Sequence, residues 1–252
     1  MESVLDRVIK QNTENVNLLK TKDYNIFSVL QIQSKEVLIC RMIADLLNPR
    51  GQHGAGAEYL KIFLKDCLGM EKMDTKLADQ AIVTAEYAID DERRIDIVIE
   101  IGSHFLPIEV KIYAADQKNQ CFDYYQYAKR RDAQAKVYYL TLDGHRPGKD
   151  STSSGSQSVP EEDIVCLSFR EHILNWLKAC KNCENTGMIP ILEQFIRNIE
   201  QISGYTSERV RNMVIDELLT SGDSLRAGMQ IADSINAAKA KLIYQVMEEF
   251  EK

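Results

Sequence analysis

Apolar and polar residues alternate with two different periods along this chain. Five segments rich in Ile, Val and Tyr alternate with a period of two or form short apolar runs, which is typical of β-strands. They are 82–89, 93–101, 106–112, 136–142 and 164–169. Other segments carry apolar residues at helical spacing, which predicts α-helices. These are 1–20, 33–48, 55–68, 116–132, 170–182 and 188–252, the last with breaks near 203–204 and 221–222.

The order of these elements predicts an α/β protein in which a central sheet is flanked by helices. We predict a core with N-terminal helices over residues 1–183 and a helical C-terminal extension over 184–252 that packs on the core. The helix at 222–251 could instead form a homodimer contact, and both interpretations stay open. The polar stretch 144–163, rich in Ser and Gly, predicts a mobile loop.

The segment 93–112 predicts a β-hairpin. If Gly102 and Ser103 form a two-residue type II′ turn, directly opposed residues have numbers that sum to 205. This register forms an apolar face from the pairs Ile97–Ile108 and Ile95–Val110. The same register forms a polar face from the pairs Asp96–Glu109 and Arg94–Lys111. The alternation therefore predicts one buried face and one face that carries charge.

The polar face carries the candidate metal-binding and catalytic residues. Opposed like charges destabilise a strand pair by ~1 kcal/mol or less, so Asp96 and Glu109 indicate a cation between them, for which a divalent metal is the economical candidate. Lys111 follows Glu109 by two residues and points to the same face. Two acids that hold Mg²⁺ beside an ammonium suit phosphodiester hydrolysis. A ladder of surface salt bridges is the structural alternative, and the hairpin alone does not decide between them.

Two predicted helices add polar residues to this picture. Glu36 shares a helical stripe with the apolar positions Cys40, Ile43 and Leu47, so its carboxylate lies on a face that we expect to be buried. A first-turn acid that complements the helix dipole is the other interpretation of Glu36. Gln120 and Tyr124 share a face of the helix that follows Lys111, and Gln117 lies a turn earlier.

Composition and charge restrict the class of protein. The chain has 252 residues, 44% of them hydrophobic, and a formal net charge of −7, which argues against a generic nucleic-acid coat protein. Residues 111–149 nevertheless hold eight Lys or Arg against four Asp, a local excess that suits a phosphate-bearing substrate. The chain lacks an apolar run long enough to span a membrane and a secretory signal pattern. These features predict a soluble cytoplasmic protein with six reduced cysteines.

Asp96, then Glu109-Val110-Lys111 after twelve intervening residues, then Gln120 and Tyr124 in a Gln-x-x-x-Tyr pattern together resemble the PD-(D/E)XK nuclease superfamily. The last pattern resembles its RecB-like and λ-exonuclease-like branches. The flanking segments, with the turn at 48–54 and Arg94-Ile95 before Asp96, resemble a bacterial subgroup. Arg94-Ile95 stands where the name-giving motif has a proline. The resemblance covers roughly residues 30–180.

The resemblance implies a restriction-endonuclease-like core and assigns roles to particular residues. Asp96 and Glu109 would bind Mg²⁺, or Mn²⁺ in its place, together with the backbone carbonyl of Val110. Glu36 would support the metal through water. Lys111 would orient or activate the attacking water. The nucleic acid would be contacted by Gln120, Tyr124, Gln117 and His53, although Gln120 and Tyr124 could instead contact Lys111, and His53 could equally stabilise its own turn.

The sequence therefore predicts a metal-dependent nuclease that hydrolyses phosphodiester bonds in DNA by a metal-activated water. The competing hypothesis is a catalytically inert nucleic-acid-binding or protein-interaction module with the same fold. No nucleotide-binding motif of the GxxxxGK[ST] or GxGxxG type occurs in the chain. A motor or specificity function would then require a separate subunit, and a homodimer is the other assembly that the sequence leaves open.

Overall fold

A computed structural model describes residues 24–71, 74–91, 93–183, 185–204 and 214–250. The described residues from 24 to 204 form one compact unit, and residues 214–250 belong to a second unit. The helix predicted at 1–20 lies outside the described residues. The second unit contains one long helix, Gly222–Phe250. None of the described helices is both long and apolar enough to cross a membrane.

The larger unit begins with four helices: α1 (Ile26–Val29), α2 (Glu36–Leu47), α3 (Glu58–Asp66) and α4 (Thr75–Asp79). Three strands then follow directly, β1 (Ile82–Ala88), β2 (Arg94–Ile101) and β3 (His104–Lys111), before α5 (Gln120–Arg131) and β4 (Val137–Thr141). The short elements α6 (Lys149–Thr152), β5 (Ser153–Ser154) and β6 (Gln157–Ser158) come next. The unit ends with β7 (Ile164–Ser168), a π-helical segment Phe169–Ile173, α7 (Leu174–Cys180) and α8 (Ile189–Ile202). The sequence did not predict α1 or α4, both of which are five residues long or shorter.

The central sheet has five strands in the order β1-β2-β3-β4-β7. The first three strands form an antiparallel meander, whereas β3, β4 and β7 run parallel to one another. The parallel pair β3–β4 requires a crossover, and α5 provides it. The fold is therefore α/β with a mixed central sheet flanked by helices, as the sequence predicts and as a restriction-endonuclease-like core requires.

Apolar residues fill both faces of the sheet. The first core lies on the face covered by α2, α3, α7 and α8, and its largest fully buried side chain is that of Trp176. The second core lies on the face covered by α5 and contains Val98, Phe105 and Tyr124. The sheet is thus covered on both sides, which explains why its central strands consist almost entirely of buried residues.

The stretch 144–163 contains short regular elements, so the prediction of a loop over its whole length is wrong. It contains α6 and the β5–β6 pair, and the side chains of Ser151 and Val159 are buried. The Ser151 hydroxyl accepts a hydrogen bond from the Cys121 amide at 3.2 Å. This stretch therefore supplies a capping group to the first turn of α5, which has no cap from its own preceding side chain.

Candidate active site

The turn at Gly102 and Ser103 sets the register of the β2–β3 hairpin. Gly102 has a φ of +59° and Ser103 does not share the positive φ, which is the pattern of a type II′ turn. Paired residues run from Ile101–His104 to Ile97–Ile108. The predicted register is therefore confirmed over this part of the hairpin.

The regular pairing between β2 and β3 ends before Asp96, after the pair Ile97–Ile108. Its Oδ2 accepts a hydrogen bond from the Val110 amide at 2.7 Å, so the carboxylate lies against the backbone of the neighbouring strand. Ile97 lies in the first core, as expected, but Ile95 lies in the second core. The prediction that Ile95 and Ile97 share a face is wrong, because the alternation of side chains along β2 reverses at Asp96.

Glu109 and Lys111 share the face of β3 that is turned toward α5. Their neighbours Ile108, Val110 and Ile112 all lie in the first core on the opposite face. The Lys111 ammonium Nζ lies 2.6 Å from Oε1 of Glu109. Glu109 is 1% exposed and Lys111 is 9% exposed. This pair is therefore buried, and the alternative of a solvent-exposed ladder of salt bridges does not describe it.

The burial of this cluster shifts its pKa values. Burial raises the pKa of Glu109, and repulsion from Asp96 raises it further, to about 8, although the Lys111 ammonium opposes both effects. Burial also raises the pKa of Asp96, against the opposing Val110 amide and Lys111 charge. For Lys111, burial alone lowers the pKa, but the Glu109 and Asp96 carboxylates outweigh it and the net shift is upward. Lys111 therefore carries a proton at neutral pH.

One carboxylate oxygen of Glu109 is available to bind a cation. Its second oxygen, Oε2, is buried and has no hydrogen-bond donor, and the neighbouring Asp96 carboxyl group becomes a partner only when the two acids share a proton. Such an arrangement is costly when both acids are ionised, unless a cation satisfies it. Among the described residues, no three His, Cys, Asp or Glu side chains form a metal-binding group. A cation at this carboxylate pair would therefore take further oxygen ligands from backbone, water or substrate, which is the usual coordination of Mg²⁺.

Glu36 connects α2 to the end of β3. It occupies the first position of the helix, and its Oε2 accepts a hydrogen bond from the Ile112 amide at 2.6 Å. Cys40 and Ile43, which share its stripe, are buried, whereas Glu36 itself lies half-buried at the edge. The carboxylate thus holds the backbone directly after Lys111, which places Glu36 beside the cluster of acids.

Gln120 and Tyr124 lie in the first turns of α5 and are both buried. The Tyr124 hydroxyl donates to the Arg94 carbonyl at 2.5 Å and accepts from Nε2 of Gln120 at 3.0 Å. The charges of Glu109 and Asp96, after burial, raise the pKa of Tyr124. In this structure the Gln-x-x-x-Tyr pair therefore holds the backbone two residues before Asp96.

Gln117 belongs to a network around Arg93, a residue that the sequence analysis did not single out. The Arg93 guanidinium donates to Oε1 of Gln117, to a carboxylate oxygen of Asp123 and to the Lys118 carbonyl. The backbone amide of Gln117 in turn donates a long hydrogen bond of 3.4 Å to Oε1 of Gln120. Arg93 thus fixes the segment that leads from β3 into α5. Nothing in the sequence distinguishes Arg93 from other charged residues at the start of a strand.

His53 is buried within its own turn. One ring nitrogen, Nε2, lies 2.9 Å from the Asn48 carbonyl, and the other, Nδ1, accepts a hydrogen bond from the Ala55 amide. The ring also stacks on Tyr59. Both ring nitrogens are therefore occupied by nearby backbone groups, which favours the interpretation of His53 as a residue that stabilises the turn.

Of the comparisons with known proteins, the one against family models gives a match. A family model described as the PD-(D/E)XK nuclease superfamily matches residues 24–198. This range covers more than half of the chain and includes the acids, the lysine and the α5 residues described above. The curated proteins and the solved structures contain no significant match to the chain.

Proposed function

Because this chain belongs to the PD-(D/E)XK nuclease superfamily, we propose that it is a Mg²⁺-dependent nuclease that hydrolyses phosphodiester bonds in DNA. One observation carries this proposal. The buried Glu109 keeps an oxygen without a hydrogen-bond partner beside Asp96, and the Lys111 ammonium lies against the other oxygen of the same carboxylate. This combination places cation ligands and a fixed positive charge in one cluster.

The proposed ligands of the cation are Oε2 of Glu109, the Asp96 carboxylate and the Val110 carbonyl. Glu36 uses Oε2 for the Ile112 amide, so its other oxygen, Oε1, is the atom that we assign to a bridging water. A bound Mg²⁺ ion would acidify water and neutralise charge on the scissile phosphate. Mn²⁺ has the same preference for oxygen ligands and is expected to substitute.

We assign to Lys111 the role of a positive charge that orients water and stabilises the phosphorane-like transition state. A lysine that acts as a general base must lose its proton near neutral pH. The carboxylates around Lys111 shift its pKa in the opposite direction. The ammonium form is therefore the one that we expect to act, by electrostatic stabilisation.

We assign the substrate to DNA because the Gln120 and Tyr124 pattern resembles that of DNA-degrading branches of the superfamily. The local excess of basic residues over 111–149 would attract the phosphate backbone, whereas the net charge of −7 disfavours tight nonspecific binding. We therefore expect weak intrinsic affinity for DNA. A homodimer or a separate specificity subunit, acting in the cytoplasm, would raise that affinity.

The test measures cleavage of labelled single- and double-stranded DNA and RNA with Mg²⁺, Mn²⁺ or EDTA. The wild type is compared with Glu109→Gln and Lys111→Met, which preserve side-chain size while removing charge. Glu162→Gln and Lys65→Met are the matched controls, because both residues are exposed. We expect metal-dependent cleavage of DNA by the wild type and both controls, and none by the two site variants.

The remaining outcomes are equally specific. Cleavage that survives in Glu109→Gln or Lys111→Met would overturn the assigned roles, and cleavage of RNA alone would overturn the substrate. Nucleic-acid binding that is indifferent to Mg²⁺ and to Lys111→Met, without any cleavage, would favour the inert module.

A further inference from the structure

Glu86 has an unusual backbone conformation in the middle of β1. Its φ is +53°, in the left-handed region that costs a non-glycine residue about 1–2 kcal/mol. Gln31 and Asn119, the other described non-glycine residues with positive φ, lie in turns. Glu86 is therefore the one among these three that interrupts a strand, and such conformations persist only where the surrounding structure enforces them.

Glu86 lies at the level of Asp96 in the sheet. The β1–β2 ladder pairs Ala85 with Ile97 and Tyr87 with Ile95, and the intervening residues Glu86 and Asp96 form no pair. The left-handed conformation therefore falls at the position in β1 that faces Asp96, the proposed cation ligand.

The alternation of side chains between the two faces of the sheet reverses in both strands at this level. In β1, Ala85 packs against the first core and Tyr87 against the second. In β2, Ile97 lies in the first core and Ile95 in the second. Two residues that are two apart in a regular strand share a face, so the alternation reverses in β1 and in β2 together. Asp96 lies at this reversal, and its carboxylate accepts the hydrogen bond from the Val110 amide of β3.

An ion pair holds the Glu86 side chain against α2. The Arg41 guanidinium donates to Oε2 of Glu86 through Nη2 at 2.7 Å and through Nε at 3.2 Å. Arg41 directly follows Cys40, whose pKa is raised by burial and then by the Asp96, Glu109, Glu36 and Glu86 charges. These four carboxylates therefore all lie near enough to Cys40 to act on it electrostatically, and Glu86 forms an ion pair with the arginine that follows Cys40 in α2.

We propose that Glu86 is a positioning residue for Asp96: its left-handed backbone, held by Arg41, reverses the strand alternation and directs the Asp96 carboxylate to the Val110 amide and Glu109. The consequence for catalysis rests on the nuclease function proposed above. The geometric part does not, because it concerns only the metal-free protein.

The test separates the backbone of Glu86 from its charge. Glu86→Gly removes the carboxylate but adopts a left-handed conformation readily, whereas Glu86→Val removes the carboxylate and strongly favours extended backbone. Exchange of the Val110 amide proton, followed by NMR without metal, reports the hydrogen bond from Val110 to Asp96. The Val137 amide in the centre of the sheet is the internal reference, and fluorescence of Trp176 verifies that each variant is folded.

In Glu86→Val we expect the Val110 amide to exchange at least about tenfold faster, relative to Val137. This factor corresponds to the free-energy cost of a left-handed backbone at a non-glycine residue. The rate of DNA cleavage should fall by a similar factor without a matching loss of DNA binding. Glu86→Gly should keep both quantities within about threefold of the wild type. Arg41→Ala should raise Val110 exchange in the wild type but have no further effect in the Glu86→Gly background.

Two results would overturn the proposal. One is Val110 exchange in Glu86→Val equal to that of the wild type. The other is an equal loss in Glu86→Gly and Glu86→Val, which would assign the effect to the carboxylate itself. If exchange follows the expectation but no variant, including the wild type, cleaves nucleic acid, the positioning role stands and the nuclease proposal fails.

Discussion

The pH dependence of folding stability gives a test of the site that needs neither metal nor substrate. Burial, followed by repulsion from Asp96, raises the pKa of Glu109 from 4.5 to about 8. An acid whose pKa is higher in the folded state ionises more easily after unfolding, so the stability that its protonated form supports is lost as the pH rises. The free energy of unfolding should therefore fall as the pH rises from about 4.5 to about 8.

The magnitude follows from this difference in pKa. Between pH 5 and pH 8 the unfolded carboxyl group is largely ionised, while the folded group passes from protonated to half ionised. At about 1.4 kcal/mol for each pKa unit, the free energy of unfolding falls by about 3 kcal/mol over this range. Glu109→Gln has no titrating group at position 109 and should lose the part of the slope that Glu109 contributes, whereas the contribution of Asp96, whose pKa is also raised, remains. Lys111 stays protonated throughout, because its pKa is shifted upward.

The assay is urea unfolding in EDTA at pH 5, 6, 7 and 8. The chain has one tryptophan, Trp176, which is fully buried and donates to the Tyr59 carbonyl, so its fluorescence reports the core. The exposed Glu162→Gln is the control and should keep the wild-type slope. Parallel stability curves for the wild type and Glu109→Gln would refute the reasoning. Excess Mg²⁺ at pH 8 should stabilise the wild type but not Glu109→Gln.

Three further substitutions test the supports of the site, each by its urea midpoint at pH 7. Gly102→Ala should lower stability by about 1 kcal/mol, because φ is +59° and the added Cβ would lie 3.2 Å from Cδ1 of Leu77; an unchanged midpoint would exclude the type II′ turn. Tyr124→Phe should cost about 1 kcal/mol, since it removes the hydrogen bond from the buried Tyr124 hydroxyl to the Arg94 carbonyl and the acceptor for Nε2 of Gln120. Ser151→Ala should cost about 1 kcal/mol, as it removes the acceptor for the Cys121 amide.

The hairpin shows how far local sequence information extends. A glycine at the first turn position and a period-two alternation were sufficient to predict the register, which the structure confirms from Ile101–His104 to Ile97–Ile108. The same rules place Glu109 and Lys111 on one face, where they form an ion pair. These features could be predicted because each depends only on residues close together in the hairpin.

The reversal of faces at Asp96 could not be predicted in the same way. Glutamate gives no sign of left-handed backbone, because that region is favoured by Gly, Asn and Asp. The Glu86 side chain pairs with Arg41, which is 45 residues away in the chain. Local rules therefore predict a regular alternation, and on our proposal the contact between Glu86 and Arg41 overrides it.

The composition of the stretch 144–163 predicts the wrong local structure for a related reason. Its Ser and Gly content is typical of flexible segments, but several of its groups have partners far away in the sequence. The backbone amide of Gly148 donates to Oδ2 of Asp116, and the backbone amide of Asn119 donates to the Asp150 carbonyl. A small polar residue such as Ser151 is well suited to a buried capping role, and composition alone does not distinguish that role from solvent exposure.

These departures from regular structure meet at one place in the fold, and this has a thermodynamic consequence. Glu86 adopts a strained backbone, Asp96 leaves the strand ladder, and Glu109 buries an oxygen that has no hydrogen-bond partner. Each feature is unfavourable in the metal-free protein. A cation that binds the carboxylates would offset the third cost directly and would favour the folded state over the unfolded state. On the proposed function, cation binding would offset part of this cost, and the hydrogen bonds of Arg41, Arg93 and Tyr124 would hold the surrounding backbone in the metal-free protein.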